Sequence, residues 1–527
     1  MWKNIKGFFS DWHHIVLMIL ASQYLILQLI LGVEYWDGPR NLHWSILIAE
    51  QPRFLLDSID GYNRIFGFPP DPPYLASIDF SAIGLPRFHH WWGPVYLGFI
   101  GLAWKLTHSY TVIQIIVPIL SGGVVLLTYA FGKRFYNKQV GLLAAFLLSI
   151  FPIFREHAVL TFVEPISALL LLCAFWAFLT HKTLWTIIFG SLAMLGKIDN
   201  IIIYGCTILL IFLLHWFRKS EPKIGRHVLL CLGLPFIAVG PWLYLTYFLY
   251  NRDLFNFGTP NFGLFAYIFP LALEQLFVMH ISITVLTLLV IVLTVVIGIG
   301  RKTHTPSMLG HLQAIWILIV TFVVLVYLAT PTASNNPRGI INALPALWIL
   351  SANGLLKLRL RIRQFLLSYL VAIFLLSNTA GIIYQIVRAD IDNHTTLLWE
   401  TMRDEPKGYV LTEYYWDCIL YARQPATWFF NDPQFRDNIL LNIDNFISYL
   451  TNNPIKYIIL PIDAKALGEE IRDSYLIHLY QRLPFGRVLP FEIEAQVTDE
   501  VRQYLEINYQ KQLVGDFNIE STAISSN

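Results

Sequence analysis

The sequence predicts a polytopic α-helical membrane protein of about 11 transmembrane helices, with a long first external loop and a C-terminal external α/β domain. Three observations predict it. Of 527 residues, 56% are hydrophobic and only 14% are charged, where soluble domains run near a quarter charged. The apolar residues gather in runs long enough to cross a bilayer. Past residue 388 or so the composition turns ordinary and polar. An aromatic content of 15% excludes a disordered chain. The net charge of +2, from 37 Lys and Arg against 35 Asp and Glu, argues against a nucleic-acid binder with a broad basic face. Four cysteines in a chain this long do not make a disulfide framework. Cys173, Cys206 and Cys231 lie in apolar runs and read as small core residues.

Crossing about 30 Å of hydrocarbon takes roughly 20 apolar residues. Such runs fall near 12–33, 111–131, 139–155, 165–181, 183–197, 200–217, 228–250, 281–300, 311–330, 339–356 and 364–387. The first is too long for the core of a signal peptide and has no small-residue cleavage site before Glu34, so it reads as a retained anchor. Segment 91–106, WWGPVYLGFIGLAWKL, is the ambiguous one. If it does not span and the N-terminus is cytoplasmic, the inside loops collect Lys133, Arg134 and Lys138; Lys182; Arg218, Lys219, Lys223 and Arg226; Arg301 and Lys302; and Lys357, Arg359, Arg361 and Arg363. If it spans, those clusters fall outside, against the positive-inside rule. It is therefore read as a helix in or dipping into the outer leaflet. The N-terminus is then cytoplasmic and the C-terminus extracytoplasmic.

Residues 1–387 form the expected transmembrane domain. Its external loop, about 34–110, carries juxtamembrane helices and is rich in Trp, Pro and Asp. Residues 388–527 form the expected external α/β domain. There, 408–412 and 456–461 read as strands, and 413–423 and 463–482 as helices.

Charged residues cluster at the outer span ends, where a bilayer makes them costly. Asp37 lies just past the first span, Glu164 before another, Lys197 and Asp199 between two, and Arg338 before a late one. His89 and His90 precede the 91–106 helix. Each has a plain structural reading. Asp37 starts an Asp-Gly-Pro turn. Glu164, before Pro165, caps a helix. Lys197 follows a helix end where a cation suits the dipole, and Asp199 caps the next helix. The histidines sit in an interfacial belt with Trp91 and Trp92. Arg338 differs, because it opens a helix where the dipole disfavours a cation. It reads either as half of an anion site or as the partner of an external-loop carboxylate.

The order of these segments resembles the GT-C glycosyltransferases, and within them the family 39-like branch of protein O-mannosyltransferases and lipid A aminoarabinose transferases. Asp37 in YWDGPRNLHWSILIAEQP matches the acidic residue after the family's first span. GPVYLGFIGLAWKL looks like its surface helix, FVEPISALLLL like its second acidic segment, GSLAMLGKIDNIIIY like its lysine segment and NPRGIINALPALWIL like its late arginine segment. YVLTEYYWDCILYARQPATWFF followed by KYIILP is similar to its external C-terminal domain. Trp92 and Gly93 stand where the family has a basic residue and the first of two prolines, and Gly339 where it has Tyr.

The resemblance implies a transfer of sugar from a polyprenyl-phosphate donor to an extracytoplasmic acceptor (lipid, glycan or protein), with inversion. Asp37 would be the base. Glu164 would orient the acceptor, or with Asp37 hold a divalent cation such as Mg or Mn. Arg338, Lys197 and His90 would face the phosphate. His89, Trp92 and Tyr96 complete the expected substrate-binding set. The competing readings are a transporter or flippase, and a relative that only binds polyprenyl phosphate or polysaccharide. The topology has its own test. With single cysteines at position 109 (Ser109→Cys) or 138 (Lys138→Cys) in a cysteine-free background, an impermeant reagent should label the first in intact cells and spare the second. The reverse pattern would overturn it.

Overall fold

The computed structural model describes residues 12–31, 94–197, 199–217, 222–244, 281–300, 308–328, 337–406, 408–412, 443–452, 455–461, 503–504, 509–514 and 517–522. It also describes the positions 42, 45, 46, 49, 418, 422, 424, 426, 427 and 507. The first helix, α1, is Trp12–Leu31. Then come α2 (Pro94–Thr107), α3 (Tyr110–Phe135), α4 (Lys138–Ser149), α5 (Pro152–Val159) and α6 (Glu164–Leu179). They are followed by α7 (Thr183–Gly196), α8 (Asp199–Phe217), α9 (Pro222–Tyr244), α10 (Ile281–Gly300) and α11 (Met308–Leu328). A 3₁₀ helix, Pro337–Ala343, leads into α12 (Leu344–Lys357) and α13 (Leu360–Asp404).

Every apolar run in the sequence overlaps one of these helices. Among the described residues, 6 are long and apolar enough to cross a membrane by themselves, and α4 with α5, bent by 68°, would make a seventh. Outward faces are apolar, with Ile30, Leu289 and Phe365 exposed, as a lipid-facing surface requires. Helix α2 has 14 residues, a rise of about 21 Å at 1.5 Å per residue, less than a bilayer core.

The run at 139–155 is not one straight helix as expected. It breaks at Ile150–Phe151, ahead of Pro152, which lacks the amide hydrogen that would continue the ladder. A break in an apolar bundle must still satisfy its carbonyls, and here neighbouring helices do so. The Ser149 carbonyl accepts from the Tyr24 hydroxyl at 3.0 Å and the Gln23 amide at 3.2 Å, both on α1. The Ile150 carbonyl accepts from Asn378 of α13 at 2.7 Å. The direction of α5 is thereby fixed by two other helices.

Small residues set the closest crossings. A Cβ on Gly354 of α12 would collide with the Thr294 carbonyl of α10, and one on Gly298 with the Leu350 carbonyl. At the same seam Thr294 and Ser351 hydroxyls lie 2.6 Å apart and Asn353 donates to the Gly298 carbonyl at 3.0 Å. Without a hydrophobic force between helices in lipid, such close backbone approach and hydrogen bonding hold the pair.

Helix α13 runs for 45 residues and carries the chain through position 387 without interruption, so the expected boundary falls inside a helix. Its last turns, with Leu398, Trp399 and Met402, pack on the tail's sheet against Val410, Tyr457 and Ile459. Gln424 closes that junction, donating to the Met402 carbonyl at 2.8 Å and the Glu405 carbonyl at 3.0 Å. The sheet contains β1 (Tyr409–Thr412), β2 (Ala426–Thr427), β3 (Ile455–Pro461), β4 (Tyr509–Val514) and β5 (Phe517–Thr522) in the order β2-β1-β3-β5-β4. β1 is parallel to β2 and β3, while β5 is antiparallel to β3 and β4. Strands β1 and β3 lie where the sequence predicts them. Helix α14 (Ile443–Asn452) and the β4–β5 pair were not anticipated. The helix expected at 463–482 and most of that at 413–423 lie outside the described residues.

Gly354→Leu should force α10 and α12 apart, lowering stability by about 2 kcal/mol, in the range of overpacking costs. Thermal unfolding in detergent measures it. Gly233→Ala, where a Cβ meets nothing within 4 Å, should be neutral or slightly stabilising.

Candidate functional site

The loop from α5 to α6 and the ends of three other helical segments meet at a buried run of charge. Glu164 opens α6, with Val163 rather than Glu164 as the N-cap and Pro165 following. This corrects the capping expectation, although an acid in the first turn still suits the helix dipole. Lys197 is the C-cap of α7, and Asp199 opens α8. Arg338 sits at the start of the 3₁₀ helix.

Lys197 Nζ is 3.1 Å from Glu164 Oε1 and 3.1 Å from Asp199 Oδ2. Arg338 Nε is 3.4 Å from the same Glu164 oxygen. The order Arg338, Glu164, Lys197, Asp199 alternates in sign and sums to zero. The Lys197 ammonium thus lies between two carboxylates, which offset the cost of burying it. Arg338 is the most exposed of the four, at 24% of its side chain against 1% for Glu164. The network thus ends toward the outside at a guanidinium. The Arg338 partner is a helix-borne carboxylate.

Neighbouring contacts fix this geometry. Asn200 donates to the Ser167 hydroxyl at 2.8 Å and the Ala193 carbonyl at 2.7 Å, clamping the start of α8 against α6 and α7. The Arg338 guanidinium lies 5.7 Å from the Phe162 ring centre, and on the same ring His157 packs at 4.7 Å. Tyr96, on α2, is wholly buried. Its hydroxyl donates to the Thr161 carbonyl at 2.8 Å, joining α2 to the loop before α6. That bond gives Tyr96 a place in positioning the loop.

Of the residues singled out in the sequence, Glu164, Lys197, Asp199 and Arg338 are therefore brought together, with Tyr96 supporting the same loop. Asp37, His89, His90 and Trp92 lie outside the described residues. His157 and Asn200 were not singled out, because a single His or Asn in an apolar stretch gives no signal of what it faces.

Glu164, one of the two expected ligands of a divalent cation, already faces two cations, which oppose a third. Its expected co-ligand Asp37 lies outside the described residues.

No protein-family model matches the chain. No curated protein matches it in sequence. Solved structures match its fold. ArnT from Cupriavidus metallidurans bound to undecaprenyl phosphate aligns with a TM-score of 0.59 at 10% identity, over 96% of this chain and 98% of that one. The same protein in the apo state gives 0.58 at 11% identity over the same shares. The apo oligosaccharyltransferase of Archaeoglobus fulgidus gives 0.51 at 14% identity, over 86% of this chain and 70% of that one. The chain shares the fold of these proteins, a polytopic helical membrane architecture.

Lys197→Met removes the ammonium that Glu164 and Asp199 both face and should cost about 3–5 kcal/mol, the range for breaking a buried pair. Adding Glu164→Gln should cost much less than its effect alone, since one interaction is lost twice. Melting of the single and double variants in detergent checks this. Strict additivity would mean that Glu164 and Lys197 do not act as a pair.

Proposed function

We propose that the chain is a membrane glycosyltransferase. It moves a sugar from a polyprenyl-phosphate donor to an acceptor on the extracytoplasmic side, in one displacement with inversion at the anomeric carbon. One observation carries the reading. A GT-C fold over nearly the whole chain encloses a buried ion network whose exposed end is Arg338. ArnT of that fold is described bound to undecaprenyl phosphate, which supports a polyprenyl-phosphate carrier as the ligand here.

The displacement breaks the bond between the anomeric carbon and the phosphate oxygen. The phosphate leaves with the electron pair, and the acceptor oxygen bonds to the carbon. Negative charge grows on the leaving phosphate, so a preorganised guanidinium at its edge lowers the barrier. Arg338 has that role, with Glu164 holding it in place at Nε and Lys197 holding Glu164. A carboxylate facing two cations is a poor proton acceptor. The base is therefore assigned to Asp37, which the sequence places just past the first span and before Gly38-Pro39.

With a labelled polyprenyl-phosphate sugar, Asp37→Asn should insert normally, bind the donor and lose transfer by at least about 10²-fold, the low end for removing a general base. Arg338→Ala should weaken donor affinity more than Arg338→Lys, because Lys keeps a point charge without the fork geometry. Near-normal transfer by a well-inserted Asp37→Asn variant would remove Asp37 from the mechanism. Counterflow of substrate in proteoliposomes without transfer would replace the enzyme with a transporter.

A further inference from the structure

The end of the bundle opposite Glu164 carries charge that the mechanism above does not use. Phe151, Trp348 and Phe374 meet edge to face, with ring centres 5.3 to 5.6 Å apart. From that cluster α4 leads back to Lys138, α12 leads on to Lys357 and α13 leads back to Arg359. At 1.5 Å per residue these paths are about 20, 14 and 22 Å long. All three lead away from Glu164. The loop to Glu164 follows α4 and α5, the 3₁₀ helix of Arg338 precedes α12, and the tail follows α13. The last turn of α3 lies at the same end, where a Cβ on Gly132 would collide with the Gly141 backbone of α4.

Two groups of cations stand there. Lys133 and Arg134 of α3 are exposed, as are Arg359 and Arg361 at the start of α13, with Arg363 half-buried. No Asp or Glu occurs in 128–142 or 352–368, and among the described residues none of the five is in an ion pair. Cations in a first helical turn oppose the dipole, and α13 has no acid there to balance them. Helix stability therefore does not account for the arginines. An orientation signal accounts for the sign of the charge, but any cation on that side serves it equally. It does not account for what alternates with the arginines. Leu360, Ile362 and Phe365 are exposed, and little of the span Leu360–Thr379 is buried in the protein, only 17%.

We infer that these two basic turns hold an anionic phospholipid. Its headgroup lies against the α3–α4 turn and the first turn of α13, and its acyl chains lie on Leu360, Ile362 and Phe365. Unpaired cations interleaved with exposed apolar side chains match both halves of such an amphiphile, whereas a soluble anion matches only the cations. The lipid fastens the foot of α13, the helix whose other end packs under the tail's sheet. Phospholipid binding here is independent of the transferase reading.

The experiment uses the full chain, stripped of lipid in detergent and titrated with phosphatidylglycerol, phosphatidylcholine or inorganic phosphate. Native mass spectrometry counts bound lipid, and melting reports stability. Phosphatidylglycerol should bind saturably and raise the melting temperature by about 2 °C or more, and the other two should not. The triple variant Arg359→Gln, Arg361→Gln, Arg363→Gln should weaken phosphatidylglycerol by about 10-fold or more, and Lys133→Gln with Arg134→Gln should weaken it too. Removing three cations from another loop, with Arg218→Gln, Lys219→Gln and Lys223→Gln, should leave it unchanged. No saturable binding by the wild type, equal binding of phosphatidylcholine, or equal stabilisation by inorganic phosphate would overturn the inference. So would an equal loss in the 218–223 variant, which would mean that only net charge counts. If the triple variant does not fold, Arg361→Gln and Lys133→Gln decide singly. Each should weaken phosphatidylglycerol by about 5-fold, and unchanged affinity in both would overturn the inference.

Discussion

A backbone break inside an apolar bundle has to find hydrogen bonds from somewhere, and the break before Pro152 organises much of what surrounds it. The carbonyls of Ser149 and Ile150 leave the helical ladder there. They are taken up by Tyr24 and Gln23 of α1 and by Asn378 of α13. Those helices are far apart in sequence, so the break ties the first span to the last. It also turns α5 by 68° from α4, which sets the approach of the loop carrying Phe162 and Glu164. Water would satisfy such carbonyls in a soluble protein. In hydrocarbon only protein donors can, so the bend and its donors form one unit.

The charge network follows from the same scarcity of water. Glu164 and Asp199 sit in first helical turns and Lys197 caps a helix end, each where the local dipole favours its sign. Arg338, opening a 3₁₀ helix, lacks that help and shares the Glu164 oxygen with Lys197. An isolated charge buried this deeply would be prohibitive, while an alternating row lets each charge stabilise the next. The start of α8 that carries Asp199 is held by Asn200, which donates to Ser167 of α6 and the Ala193 carbonyl of α7.

Helix α13 links this region to the tail. Near its start it contributes to the membrane bundle through Phe374 and Asn378, and its last turns form part of the core beneath the sheet through Leu398, Trp399 and Met402. One continuous helix thus belongs to two hydrophobic cores.

Much was legible from residue types alone. Apolar runs of span length mark the helices, because hydrocarbon excludes polar side chains wherever a helix faces it. The strands at 409–412 and 455–461 are visible as short β-branched and aromatic runs in polar surroundings. The convergence of Glu164, Lys197, Asp199 and Arg338 was legible too, since charges at span ends counted through the loops fall on one side. The pairing within that cluster was not. Glu164 could have faced either cation alone or neither as easily as both, and sequence spacing carries no information on contacts between helices. The α4–α5 bend was hinted at only by Pro152. The β4–β5 pair lies in a polar stretch whose alternation is weak. His157 gave no signal at all, because its packing on Phe162 is set by the turn between α5 and α6. The sequence by itself determined a bundle of apolar helices with charges gathered at one end and a polar tail. Tertiary structure alone decided which charges touch, because that depends on where helices distant in the chain cross.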